Sequence, residues 1–92
     1  MLYIISKPEN VMLAAQFTTD ADELLLTQSA VYLSNPKHYQ YILLKSLPCS
    51  ISALVEDLKA RGVEASVAQG IHVIDMDQFV DLTAKHAKSI SW

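Results

Sequence analysis

Cysteine and glycine are scarce in this 92-residue sequence, and each scarcity excludes a class of site. Cys49 is the only cysteine, which excludes an internal disulfide and a cysteine-rich zinc site and suits a reducing compartment. Gly62 and Gly70 are the only glycines, so no glycine-rich loop can cradle a phosphate group. The three histidines have no metal-ligand spacing. We therefore expect neither a metal ion nor a cofactor.

Basic charge is also sparse, with seven lysines and arginines against ten acidic residues and a formal net charge of −3. The basic residues are scattered and form no stripe that would neutralise phosphates, so direct nucleic-acid binding is not expected. No apolar run approaches the roughly 20 residues of a membrane span, and the apolar start lacks the basic segment of a signal peptide. These absences predict a cytoplasmic protein without a membrane partner.

Apolar residues, in contrast, are abundant, at 51% of the chain. The length predicts a single domain over residues 1–92, and a domain of this size has a thin core. Because so small a core cannot use all of these apolar side chains, we expect partner chains to cover part of the surface. The isolated chain is a candidate for homo-oligomerisation for the same reason.

Apolar runs alternate with helix-like stretches, which is typical of βαβ units around a parallel sheet. The predicted strands span residues 2–6, 22–28, 50–55 and 71–74. The tail 89–92 predicts either an edge strand or a docking hook. The expected fold is a small three-layer α/β domain with a mainly parallel, four- or five-stranded sheet, and right-handed crossovers favour the strand order 2-1-3-4.

Capping signals predict where the helices between these strands begin. A capping box of Ser6 and Glu9, with Pro8 in the first turn, predicts the first helix, and the run Ser34-Asn35-Pro36 predicts a second that extends to Ser46. Acidic residues at the start and Gly62 at the end predict a third helix over residues 56–61, and a capping box of Asp75 and Gln78 predicts the last one. Asp57 and Arg61 have the i,i+4 spacing of a helical ion pair. The last helix is expected to carry Met76, Phe79, Val80 and Thr83 on one side.

No catalytic site is predicted, and Cys49 is the only thiol that could act as a nucleophile. It opens the third predicted strand at its amino end, whereas ligands of open parallel sheets bind beyond the carboxyl ends. No electropositive setting surrounds it in sequence apart from Lys45. We expect Cys49 to be a packing residue, with a persulfide carrier as the alternative.

Three tyrosines lie close together in a segment that is more apolar than one amphipathic helix requires. Tyr32, Tyr39 and Tyr41 are therefore predicted either to pack internally or to form part of an interface, for which tyrosine is well suited. Trp92 is a further interface residue if the tail acts as a docking hook.

Three segments, in the same order along the chain, resemble the TusB/DsrH family. They are DELLLTQ from Asp22 running into Ala30-Val31, EDLKARG from Glu56, and IDMDQFVDLT from Ile74 followed by Lys85-His86 and Trp92. The third is the most specific, because it fixes both a helix and the end of the family pattern. None of the three is a catalytic signature.

The resemblance implies a DsrEFH-like fold and a role as one subunit of a heterohexamer, with TusC-like and TusD-like partners. In the Tus branch such complexes relay persulfide sulfur toward 2-thiolation of the wobble uridine of certain tRNAs. In the Dsr branch a similar complex serves sulfur oxidation. The principal sulfur-accepting cysteine of the family lies on the TusD/DsrE subunit, which implies that this chain is a non-catalytic subunit.

Two departures from the family pattern bear on this interpretation. Some DsrH members have a cysteine in the first helix region, whereas residues 12–17 contain none here, which favours the Tus branch. Ser29-Ala30 replaces the Asp-Gly pair that the family often has after the second strand. The alternatives that stay open are a DsrH-like subunit of a sulfur-oxidation complex and a thiol carrier that uses Cys49.

Overall fold

Five short parallel strands form the centre of the molecule in a computed structural model, which describes residues 1–92. The strands are β1 (Leu2–Ile5), β2 (Glu23–Leu26), β3 (Ser50–Leu54), β4 (His72–Ile74) and β5 (Ser89–Ser91). The α-helices are α1 (Val11–Ala15), α2 (Tyr41–Lys45), α3 (Val55–Ala60) and α4 (Met76–Lys85). Short 3-10 helices span Pro8–Asn10, Gln28–Ser34 and Glu64–Ser66. None of these helices combines the length and apolarity needed to cross a membrane.

The strand order is β4-β3-β2-β1-β5, and every pairing is parallel. The first three crossovers all step in one direction across the sheet. Because each is right-handed, they place α1, α2 and α3 on one face. The last connection steps back over the whole sheet, so α4 lies on the opposite face. The prediction of a three-layer parallel α/β domain is confirmed.

The predicted order 2-1-3-4 was wrong, because it placed β3 beside β1. In the structure β2 pairs with both β1 and β3, with Leu24 opposite Tyr3 on one side and Ile51 on the other. Right-handed crossovers are satisfied by either order, so handedness could not decide between them. The tail does form an edge strand, as one of the two predictions for it stated, and it pairs with β1.

The two faces of the sheet carry separate apolar cores, which we call the α1–α3 core and the α4 core. Leu24 and Leu26 point into the larger α1–α3 core, together with Val11 and Leu58 from its helices. Leu25 points the other way, into the α4 core. The three consecutive leucines are fully buried because both faces of β2 are covered, which explains the continuous apolar run.

The first two predicted helix starts were wrong. Ser6 forms no capping box with Glu9, since its hydroxyl donates to the carbonyl of Trp92 at 3.0 Å. The hydroxyl of Ser34 donates to the carbonyl of Val31, and Ser34 closes a 3-10 helix instead of opening an α-helix. Asn35 is extended, as expected for a residue before proline, so α2 begins only at Tyr41.

The other capping signals are confirmed. Asp75 and Gln78 form a full capping box at the start of α4. Arg61 lies 3.7 Å from Asp57, and Gly62 takes the left-handed conformation after α3 with a φ of 67°.

The core-facing side of α4 differs from the prediction. Phe79 and Leu82 pack against the sheet, whereas Met76 and Val80 are about half exposed. Helical spacing alone could not decide which side of α4 faces the sheet, because the stripe of Phe79 and Leu82 and the stripe of Met76 and Val80 are both apolar. The outward stripe therefore adds to the exposed apolar surface of the protein.

Candidate interaction surfaces

The most prominent surface feature is a set of exposed apolar side chains on α1, α2 and their flanks. We call Met12, Leu13, Phe17, Tyr39 and Ile42 the α1–α2 surface; each is between 41% and 83% exposed. The two helices lie against each other. An exposed apolar patch of this kind is typical of a surface that binds another protein.

The inner sides of the same helices account for their position. Val11 and Ala14 of α1 and Leu44 of α2 are buried in the α1–α3 core. Together with the partly buried Tyr41 and Leu43, they pack these two five-residue helices against the sheet. Their outward apolar residues therefore serve no purpose in the core, which is why they are candidates for contact with a partner.

The four aromatic residues predicted as interface candidates fall into two groups. Tyr39 is the most exposed, at 83%, and stacks on His38 with 4.9 Å between ring centroids, while Tyr32 is 39% exposed. Tyr41 and Trp92 are only partly buried, but both pack against the α1–α3 core. Tyr39 thus has most of its surface free for a partner, Tyr32 somewhat more than a third, and the other two less.

Trp92 connects the tail to the core. Its ring lies 5.7 Å from that of Tyr3 and 6.4 Å from that of Phe17, and its backbone N–H donates to Ile4. The carbonyl of Trp92 accepts bonds from the backbone N–H and the hydroxyl of Ser6. Trp92 therefore packs against the exposed Phe17 and contributes to the position of that residue in the α1–α2 surface.

Four members of the α1–α2 surface were not predicted from the sequence: Met12, Leu13, Phe17 and Ile42. A signal was present, because Val11 through Ala15 is apolar throughout, and a helix buried on one side needs apolar residues only at helical spacing. The excess of apolar residues in that segment could have identified the surface.

The carboxyl edge of the sheet, where parallel sheets usually bind ligands, is occupied by internal hydrogen bonds. The backbone N–H of Gln28 donates to Asp57 at 2.8 Å, and that of Met76 donates to Glu56 at 3.2 Å. The hydroxyl of Ser29 donates to the carbonyl of Ser6. The polar side chains at this edge thus cap the elements that follow the strands.

Cys49 lies directly before β3 and is 8% exposed, within the α1–α3 core. It packs among the apolar side chains of that core. Burial raises the pKa of its thiol, and the nearby carboxylates of Asp22 and Glu23 raise it further. A raised pKa disfavours the thiolate, which is the nucleophilic form of cysteine.

The comparisons with known proteins agree with the fold. Residues 6–89 match the family model described as "DsrH like protein". The chain belongs to the DsrH-like family. This confirms the resemblance, which was based on three segments spread along the sequence.

Relatives of this DsrH-like chain include several proteins named Protein TusB. The one from Serratia proteamaculans is 39% identical over 97 residues, and the one from Cronobacter sakazakii is 35% identical over 96 residues; both alignments cover all of each chain. The one from Escherichia coli K12 is 36% identical over 74 residues, which covers 80% of this chain and 78% of that protein. The first two alignments thus span the whole of this chain.

Proposed function

We propose that this chain is a TusB-type, non-catalytic subunit of a cytoplasmic sulfur-relay complex. In this proposal the complex passes persulfide sulfur toward 2-thiouridine formation at the wobble position of tRNA. The observation that carries the proposal is the end-to-end similarity to proteins named TusB within the DsrH-like family. The subunit acts by assembling with its partners and positioning them.

The environment of Cys49 supports the non-catalytic part of the proposal. A sulfur carrier needs a thiolate that a donor and an acceptor protein can each reach. Cys49 is buried, and its thiol pKa is raised. The sulfur-accepting thiol is therefore assigned to a partner subunit, and the alternative in which Cys49 carries the persulfide is disfavoured.

The exposed apolar surface supports the assembly part of the proposal. We propose that TusC-like and TusD-like subunits join this chain in a heterohexamer and cover the α1–α2 surface. Such contacts usually centre on a few large apolar and aromatic anchors, which Tyr39 and Ile42 supply here. The scattered basic residues favour contact with tRNA through other subunits.

A complementation experiment tests the function and its alternatives together. The gene is deleted in the source organism, and the 2-thiouridine content of tRNA is measured by mass spectrometry of nucleosides. The proposal predicts a loss of 2-thiouridine that both the unchanged gene and a Cys49→Ser variant restore.

Other outcomes point to the alternatives. Unchanged 2-thiouridine with impaired sulfur oxidation would favour the DsrH-like subunit. Restoration by the unchanged gene but not by Cys49→Ser, with the variant still folded and assembled, would favour the thiol carrier.

A further inference from the structure

The two cavities of this molecule lie on opposite faces of the same edge of the sheet. One has a volume of about 230 Å³ and is lined in part by Ile51, Gly70 and Ile71. The other has a volume of about 400 Å³ and is lined in part by Ser52 and His72. Both adjoin β4, which pairs with β3 on one side only.

The cavity on the α1–α3 face is mainly apolar. Tyr41, Leu44, Ile51 and Ile71 supply its apolar wall, and Lys45 is its only charged residue. Val73 of β4 lies on the same face and is 43% exposed. An apolar side chain fits this side of the edge, whereas Lys45 would repel a cationic one.

The cavity on the α4 face is more polar than the first, although half of its lining is apolar, and its charged residues are acidic. Its lining includes the carboxylates of Glu23 and Asp81 and the hydroxyl of Ser52. Glu23 is already engaged by His86 and Lys85, but Asp81 has no ion-pair partner. A lysine or arginine side chain entering this cavity would meet an unpaired carboxylate.

The register of β4 connects the two cavities. His72 lies opposite Ser52 and so faces the α4 side, whereas Val73 lies opposite Ala53 and faces the α1–α3 side. A strand added next to β4 would direct its successive side chains alternately to these two sides. Alternate side chains of the added strand would therefore contact the apolar cavity and the acidic cavity in turn.

We propose that the β4 edge binds an extended segment of a partner protein in which apolar residues alternate with lysine or arginine. The segment adds a sixth strand to the sheet through backbone hydrogen bonds. Its apolar side chains pack beside Ile71 and Val73, and its basic side chains reach Asp81. Strand addition of this kind takes its affinity from the main chain and its specificity from pockets for alternate side chains.

The opposite edge of the sheet provides an internal comparison. β5 is also an edge strand, because it pairs with β1 only. Neither cavity adjoins it, and Ser89 and Ser91 offer little apolar surface. The proposal assigns binding to β4 and none to β5, and it does not depend on the sulfur-relay function.

The test is a titration of the full-length, 15N-labelled protein with a capped heptapeptide, Thr-Val-Lys-Val-Arg-Val-Thr, followed through backbone amide signals. Saturable shifts at His72, Val73 and Ile74 are expected, with a dissociation constant in the millimolar range or tighter. Amide hydrogen exchange in β4 should slow when the peptide is bound. The amides of β5 should not change.

Two matched comparisons test the charge pattern. A peptide with glutamate in place of lysine and arginine should bind at least about tenfold more weakly. Asp81→Lys should weaken binding of the basic peptide by a similar factor, while Asp77→Lys, on the same helix but outside the cavity, should change it less than about twofold. Amide spectra of both variants without peptide establish that they are folded.

Several results would overturn the proposal. These are the absence of saturable shifts in the millimolar range, shifts centred on β5, equal binding of the acidic peptide, and normal binding by a folded Asp81→Lys variant. Shifts in β4 that depend on protein concentration without peptide would assign the edge to a second copy of this chain instead.

Discussion

The Nε2 atom of His86 lies 2.5 Å from the Oε2 atom of Glu23, and this contact ties the residue after α4 to the first residue of β2. Lys85 adds a second contact to the same carboxylate at 3.4 Å. Burial alone would raise the pKa of Glu23, but the hydrogen bond from His86 and the charge of Lys85 outweigh it and lower that pKa.

A pH dependence of stability follows from this lowered pKa. A carboxyl group whose pKa is lower in the folded state stabilises the fold above its unfolded pKa, about 4.5, and loses that contribution as the pH falls through the folded value. Glu23→Gln should lower the free energy of unfolding by about 1–2 kcal/mol at pH 7, and the difference should shrink below about pH 4.5. Urea denaturation at several pH values measures it.

The matched control for this prediction is Glu9→Gln, because Glu9 is exposed and has no ion pair. It should change stability by less than about 0.5 kcal/mol at every pH. An equal loss in both variants, or a Glu23→Gln effect that does not depend on pH, would contradict the stabilising role of the Glu23–His86 contact.

Cys49 should react slowly with thiol reagents in the folded protein. Its burial and raised pKa predict that iodoacetamide labels it at least about a hundredfold more slowly than the same thiol in concentrated guanidinium chloride. A variant that combines Cys49→Ser with Ser46→Cys places the thiol at an exposed position and should react fast when folded. Rapid labelling of Cys49 in the folded protein would revive the carrier hypothesis.

Trp92 should contribute measurably to stability, because it packs on Tyr3 and its backbone joins the tail to β1. Trp92→Ala is expected to lower the free energy of unfolding by about 1–3 kcal/mol, and Trp92→Phe by less. Tyr39→Ala removes an aromatic ring that is 83% exposed and should cost less than about 0.5 kcal/mol. Equal costs for Trp92→Ala and Tyr39→Ala would show that the tail does not support the core.

Substitutions on the α1–α2 surface should weaken assembly strongly and stability only slightly, in contrast to substitutions of Trp92. Ile42→Ala should weaken binding to the partner subunits by at least about tenfold, since a large apolar side chain at an interface often contributes more than 1 kcal/mol. Lys37→Ala, at a nearby exposed position, should change binding little. Surface plasmon resonance with purified TusC-like and TusD-like subunits measures both. Unchanged binding by Ile42→Ala would move the interface elsewhere.

Much of the fold could be predicted from local patterns, because those patterns reflect local physics. The Asp75–Gln78 capping box depends on neighbouring residues only, and the continuous apolar run of β2 is typical of a strand covered on both faces. The strand order is not determined by neighbouring residues, since both the predicted and the observed order satisfy right-handed crossovers. The Ser34-Asn35-Pro36 motif gave a wrong helix start because serine and proline are common at turns as well as at helix starts. In the structure the Ser34 hydroxyl donates to the carbonyl of Val31, three residues before it, and does not cap a helix that follows.

Less of the candidate surface could be predicted. The tyrosines could be predicted because they are clustered in sequence. The apolar excess of residues 11–15 indicates an exposed apolar side of α1, but only the structure shows that Val11 and Ala14 are the residues that face the core. The two cavities beside β4 could not be predicted, because their linings come from segments that only the strand order brings together.

The most direct test of the central claim is to purify the tagged chain from its own source at native expression and identify what accompanies it by mass spectrometry. The account predicts TusC-like and TusD-like proteins in near-stoichiometric amounts. Recovery of this chain alone under gentle conditions would contradict it.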